Sequence, residues 1–275
     1  MKFLSKKIKI KFLKILKIKL KKKKINKHIQ FQGWGMTTTQ APPWIGVSTN
    51  KTYIEFNKAE KILFKNIKLK KFNLSQFSNE KNILEVLKSL RYRHYIVYYS
   101  SLLAFSGTKS RNIVECGVCD GLTVFFAINK FNNSQNFKAF LYDSWSDMKA
   151  KYLITKSEKK EIGSYDYLDV SSTKKNLINY KKNLIFNKGY IPESFKTSLN
   201  PKTISWLHID LNSSLPTEES LKFFFPRLEK NGVILFDDYG WKGYEDSRKI
   251  IEKFLKNKKG DFFHLPTGQA FFIKR

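Results

Sequence analysis

Apolar positions along the chain change their period, and the change marks its elements. Between Ser78 and Ser106, Ile83, Leu84, Val86, Leu87, Leu90, Ile96, Val97, Leu102 and Leu103 recur at helical spacing. They predict one long helix or two consecutive ones, with Ser78 and Asn79 as candidate N-caps and Gly107 as the stop. Beyond Gly107, short apolar runs alternate with amphipathic segments. The runs predict strands over 113–115, 137–142, 184–190, 203–210 and 233–236. Helices are predicted over 122–129, 171–183, 193–199, 217–228 and 244–256. The fourth of these starts at Thr217 as its cap, with Glu218 and Glu219 in its first turn. Two last strands, 262–265 and 270–273, form a hairpin through Pro266-Thr267-Gly268. Strands alternating with helices imply an α/β fold: a mostly parallel seven-stranded sheet with helices on both faces and a C-terminal antiparallel hairpin.

The N-terminal part follows neither period. Residues 1–30 form a lysine-rich tail with no apolar run longer than two residues, so they cannot span a bilayer or provide the apolar core of a secretory signal. A solvated tail is the simpler reading; a peripheral arm for anionic membrane is the other. Residues 31–77 read as an irregular linker or flap, because Gly, Pro and Thr gather in 31–55. The folded domain then spans 78–275, a helical lead-in over 78–106 followed by the α/β core from 111.

Composition sharpens this picture. With 275 residues, 41% of them hydrophobic, the chain can bury a sizeable core. Its net charge of +29 would ordinarily suggest a polyanionic partner. Yet only 6 of the 52 basic residues are arginine, 13 lysines fall in residues 1–27, and no acidic residue precedes Glu55. The charge is concentrated in the tail, and nucleic acid is not the expected partner. The two cysteines, Cys116 and Cys119, sit in one turn, too few for a structural zinc site or a disulfide framework. A redox pair is the minor alternative; a reducing, cytoplasmic setting, with or without peripheral contact at the inner membrane face, fits better. Homo-oligomerisation is left open.

The chemistry gathers at predicted strand ends. In an open α/β sheet, ligands bind outside the carboxyl ends of the strands. The first such loop is Glu115-Cys116-Gly117-Val118-Cys119-Asp120-Gly121. Its glycines let the backbone pass close to a ligand, and the helix after Gly121 offers free N–H groups. The next strand ends at Asp143-Ser144, where an acid can accept hydrogen bonds from ribose hydroxyls. Glu115, Gly117, Asp120, Gly121, Thr123, Asp143 and Ser144 are therefore the candidate cofactor contacts. A tighter G-x-G-x-x-G would be expected for a dinucleotide, so a nucleoside such as that of S-adenosylmethionine (SAM) fits better. Two further strand ends carry Asp210 and the pair Asp237-Asp238. Carboxylates converging there need a compensating cation, and hard oxygen donors suit Mg²⁺. Asp210 or His208 is placed to take a proton from an acceptor hydroxyl.

With these residues in place, the stretch from Arg111 to Arg275 resembles the macrocin O-methyltransferase (TylF-like) family of class I, Rossmann-like methyltransferases. The resemblance rests on Ile113-Val114-Glu115-Cys116-Gly117, Tyr142-Asp143-Ser144-Trp145, the run Lys188 to Phe195, Leu207-His208-Ile209-Asp210-Leu211, Pro226-Arg227-Leu228, Gly232-Val233-Ile234 and Asp237-Asp238-Tyr239-Gly240. It implies SAM as methyl donor, Mg²⁺ held by Asp210, Asp237 and Asp238, and hydroxyls of sugars, polysaccharide precursors or glycosylated metabolites as acceptors. The chain departs from the family pattern at Asn212, where a second acid is usual. Competing readings are a membrane- or polyanion-binding protein on the same scaffold, and a methyltransferase acting on RNA.

Overall fold

The computed structural model describes residues 51–77, 82–131 and 136–275. The lysine-rich tail and the caps Ser78 and Asn79 lie outside them. Among the described residues, Leu84–Tyr92 belong to one compact unit, and the remainder, within Thr49–Ile83 and Arg93–Arg275, to another. The smaller unit holds most of helix α2 (Ile83–Ser89), whose exposed Glu85 and Lys88 pair at 2.8 Å. Among the described residues, no helix is long and apolar enough to cross a membrane.

The larger unit is built on a seven-stranded sheet: β1 (Asn112–Cys116), β2 (Lys138–Asp143), β3 (Leu184–Lys188), β4 (Ile204–Ile209), β5 (Leu228–Phe236), β6 (Gly260–His264) and β7 (Ala270–Lys274), ordered β3-β2-β1-β4-β5-β7-β6. The first five strands pair in parallel, whereas β7 runs antiparallel to both β5 and β6. The predicted α/β sheet with a closing hairpin is the observed one. The order reverses between β1 and β4, and the crevice at such a switch point is where ligands bind.

Strand alternation sorts the buried side chains onto two faces. Val114, Cys116, Leu207, Ile209, Ile234 and Phe236 share one apolar cluster with Leu221 and Phe224 of α7 (Ser214–Phe224) and Ile251 and Leu255 of α8 (Glu245–Leu255). The opposite face carries Trp206, Glu115 and His208. There Trp206 Nε1 donates to Ser100 Oγ of α3 (Arg91–Gly107) at 3.0 Å. Because Glu115 and His208 are partners in the parallel register, their side chains stand side by side beneath α3.

Several boundaries differ from expectation, each for a local reason. Residues 51–55, within the expected flap, begin helix α1 (Lys51–Lys68). Phe56, Ala59 and Leu63 form its buried stripe, and Phe56 packs against Tyr98 and Phe126. The predicted helix over 171–183 divides into α5 (Val170–Asn176) and a 3₁₀ turn, Ile178–Asn183. The Asp169 side chain caps α5 by accepting from the Ser171 N–H. Thr217 caps nothing, since α7 starts at Ser214, whose N–H donates to Glu158 Oε1 at 2.6 Å. Glu158 lies 56 residues away, so this cap left no local signature. Pro216 in the first turn costs no helical hydrogen bond. Strand β5 continues back through Asn231-Gly232 to Leu228 with a register shift against β4, because Asn231 adopts φ 64° inside a bulge rather than a turn.

The core makes a direct stability prediction. Phe224 is fully buried, its ring 5.3 Å from Tyr142 and 5.2 Å from Phe195. Phe224→Ala leaves a cavity between sheet and helix, and chemical denaturation should show a loss of about 3–5 kcal/mol.

Candidate functional site

Backbone hydrogen bonds carry the parallel ladder past the strand ends. Gly117 N donates to Tyr142 O at 2.9 Å, Asp210 N to Cys116 O at 2.9 Å, and Asp237 N to Ile209 O at 3.0 Å. These bonds fix the relative heights of the loops after β2, β1, β4 and β5. Gly117, Asp143 and Asp210 consequently line one open cavity, together with Gln76, Tyr165, Tyr190 and Asn212.

The glycine turn is demanded by its surroundings. Gly117 has φ 85°, and a Cβ there would overlap the carbonyl oxygen of Asp210. Gly121 has φ 83°, and a Cβ there would press within 2.8 Å of Leu177. Asp143 closes the turn from the next strand. Its Oδ2 accepts from the N–H groups of Val118 and Cys119 at 2.7 and 2.8 Å, and its Oδ1 accepts from Trp145 N at 2.6 Å. Burial pushes this carboxyl up, and the three backbone donors pull it back. Oδ1 accepts from one N–H only and keeps acceptor capacity for a ligand hydroxyl. Ser144 lines the same cavity, its hydroxyl donating to Ser146 O at 3.1 Å.

Other predicted contacts face elsewhere. Asp120 is buried and does not line the cavity; its carboxylate accepts from Ser75 N at 2.6 Å and Ser75 Oγ at 2.7 Å. It ties the segment after α1 to the glycine turn, which brings Gln76 to the cavity wall. Thr123, in the first turn of α4 (Leu122–Ile128), is half-buried and also outside the lining. Glu115 and His208 form a fully buried pair, Oε1 to Nδ1 at 2.9 Å. Burial raises the Glu115 carboxyl well above the carboxylate range, Asp210 and Asp143 adding to the effect. The same burial, with Arg93 nearby, lowers His208 to about 3. Both directions favour an uncharged pair at neutral pH. His208 is fully buried and does not line the cavity, whereas Asp210 does.

The acidic strand ends converge, with one addition. Arg93 on α3 donates from Nε to Asp237 Oδ1 at 2.9 Å, pairs through Nη2 with Asp237 Oδ2, and reaches Asp210 Oδ2 at 3.4 Å. Asp237 is buried and also accepts from Gln269 Nε2 at 2.9 Å. His208, Asp210 and Asp237 offer donors within 4.8 Å of one another, whereas Asp238 belongs to a different contact. Asp238 accepts from Asn212 N at 3.1 Å and shares a hydrogen bond with the Asp210 carboxyl. Asn212, at φ 51°, donates its amide to Tyr165 Oη at 2.7 Å. As arranged, Asp210 and Asp237 do not fit a divalent ion, because the Arg93 guanidinium already bridges them.

Arg93, Gln76, Tyr165 and Tyr190 are site residues that pattern reading passes over. A faint signal existed for Arg93: arginine is scarce in this chain, yet two of the six arginines stand together in Arg91-Tyr92-Arg93. Tyr165 and Tyr190 lie in or beside the 145–170 insert, where Tyr190 Oη donates to Asp147 O at 2.8 Å and its ring stacks on Tyr152 at 4.8 Å.

The carboxyl cluster predicts a pH dependence. Burial, reinforced by Asp210, raises Asp238 from 3.8 to about 8. Since the folded value exceeds the unfolded one, its stabilising contribution is full below the unfolded value and is lost as pH rises through the folded one. Without ligand, the melting temperature of the wild type should fall relative to Asp238→Asn as pH is raised from about 5 to about 9. Parallel curves would show that the pair does not share a proton.

Comparisons with known proteins agree with this geometry. Residues 114–239 match the model of a methyltransferase domain family (Methyltransf_24). No protein of curated function matches the chain in sequence. Among solved structures, the O-methyltransferase NovP is similar at TM-score 0.61 and 12% identity, covering 82% of this chain and 99% of that one. The calicheamicin methyltransferase CalS11 is similar at TM-score 0.53 and 14% identity, covering 79% of this chain and 91% of that one. A sheet with the order observed here, a glycine turn closed by Asp143, and the match over 114–239 make this part of the chain a class I SAM-dependent methyltransferase domain.

Proposed function

We propose that the protein transfers a methyl group from SAM to a hydroxyl of a sugar, a polysaccharide precursor or a glycosylated metabolite. One observation carries the reading: Asp143, the carboxylate at the end of β2, and Asp210, a carboxylate after β4, line the same cavity as Gly117. The similarity to NovP and CalS11, named as an O-methyltransferase and a calicheamicin methyltransferase, supports a hydroxyl acceptor. The resemblance to the TylF-like family, on the motifs quoted above, supports a sugar-bearing one.

When bound, SAM supplies an electrophilic methyl carbon on a sulfonium. The chain's own groups hold and deprotonate. Asp143 offers Oδ1 to a ribose hydroxyl, and Gly117, without a side chain, lets the Asp210 backbone pack against the turn. Asp210 accepts the hydroxyl proton of the acceptor as its oxygen gains the methyl carbon and the carbon–sulfur bond breaks towards sulfur. Positioning of the acceptor oxygen in line carries much of the rate. Tyr165, held by Asn212, and the Tyr152–Tyr190 stack wall the cavity from the insert side. Magnesium assistance, the expectation from sequence, is not part of this proposal, because Arg93 stands on Asp210 and Asp237.

Transfer of labelled methyl from SAM to a panel of nucleotide-activated sugars tests the reading, and label appearing only on RNA or on no hydroxyl compound would overturn it. Asp210→Asn should lower kcat by about 10²–10⁴-fold while S-adenosylhomocysteine still binds. Gly117→Ala should weaken S-adenosylhomocysteine binding at least about tenfold, or ~1.4 kcal/mol by calorimetry, because the added methyl displaces the Asp210 backbone.

A further inference from the structure

The carboxyl edge of this sheet has the donors of a cation site. His208 Nε2, Asp210 and Asp237 lie within 4.8 Å of one another, and Nε2 is buried without a hydrogen-bond partner, 3.6 Å from Asp237 Oδ1. Nδ1 of the same ring is held by Glu115 at 2.9 Å, the kind of outer contact that orients a ligating histidine. Two independent observations point away from a metal ion. First, the cation already present is the Arg93 guanidinium, which contacts both carboxylates and is itself largely enclosed, its side chain 27% exposed. A guanidinium suits bidentate carboxylate pairing and cannot be deprotonated in a protein. Second, Asn212, the next polar residue after Asp210, is neutral and adds no negative charge to hold a divalent ion.

Resting on the methyltransferase reading above, we propose that Arg93 is the built-in cation of this site, standing where a divalent ion would otherwise bridge His208, Asp210 and Asp237, and that methyl transfer proceeds without metal. Arg93 neutralises Asp237 permanently and holds Asp210 at the cavity wall through Nη2. Asp210 then needs no metal to remain oriented towards the acceptor hydroxyl. The lead-in helix, rather than a dissolved ion, completes the site.

Manganese serves as the probe, because its binding is read by electron paramagnetic resonance without turnover or substrate. The wild-type full chain should leave the free Mn²⁺ signal unchanged, and Arg93→Ala, which frees the same donors, should bind one Mn²⁺ per chain. Asp237→Asn added to Arg93→Ala should abolish that binding. Wild-type methyl transfer should be unaltered by EDTA, and added Mg²⁺ should not raise it. Stoichiometric Mn²⁺ binding by the wild type that Asp237→Asn removes would overturn the proposal. So would a folded Arg93→Ala, its circular dichroism unchanged, that gains no Mn²⁺. Should Arg93→Ala fail to fold, wild-type Mn²⁺ binding and EDTA sensitivity decide the matter. Failure to methylate any sugar bears on the acceptor and leaves the manganese result intact.

Discussion

Carboxylates that meet at the ends of adjacent parallel strands repel one another, and at this edge the Arg93 guanidinium is what lets Asp210 and Asp237 coexist. Asp237 is buried, so losing its partner would leave an uncompensated charge, a defect that commonly costs about 3–5 kcal/mol. The rest of the site is arranged around this pairing. Arg93 belongs to helix α3, which is seated by the Trp206–Ser100 hydrogen bond and by the His94 ring stacked on Phe126 at 4.7 Å. The position of a helix packed on one sheet face thus determines the charge state of a cavity at the sheet's end.

The cofactor side obeys a complementary constraint. Gly117 passes so close to the Asp210 carbonyl that no side chain fits, and Asp143 takes three backbone N–H groups to hold the turn open. Trp145 adds a second brace, its Nε1 donating to Cys119 O at 3.1 Å. The insert that follows is fastened to the strand ends by Asn212 to Tyr165 and by Ser213 Oγ donating to Tyr152 O at 2.6 Å. Cofactor turn, carboxylate cluster and insert are therefore one hydrogen-bonded unit, and a change at Gly117 is felt at Asp210.

Much of this was legible in the sequence because it is local. Short apolar runs bounded by turn residues mark β1, β2 and β4, and an acid directly after a buried run marks a strand end. What pattern reading missed depends on distant partners. Arg93 meets Asp237 across 144 positions, and Glu158 caps α7 from 56 positions away. Asp120 looked like a ligand contact because it stands in the glycine turn, yet its carboxylate is consumed by Ser75. His208 looked like a base because it stands two positions before Asp210, but its ring is fully buried, outside the cavity lining, with Nδ1 held by Glu115. Helix α1 was hidden by the Gly- and Pro-rich segment before it, although Phe56, Ala59 and Leu63 carry its stripe.

The cofactor turn and the Arg93-paired cluster meet in one measurement, a calorimetric titration of the chain with S-adenosylhomocysteine in the presence of EDTA. A turn built as described, beside a cluster compensated by Arg93, binds one molecule per chain with an affinity that added Mg²⁺ leaves unchanged. Absence of binding, or binding that appears only when Mg²⁺ is supplied, would contradict it.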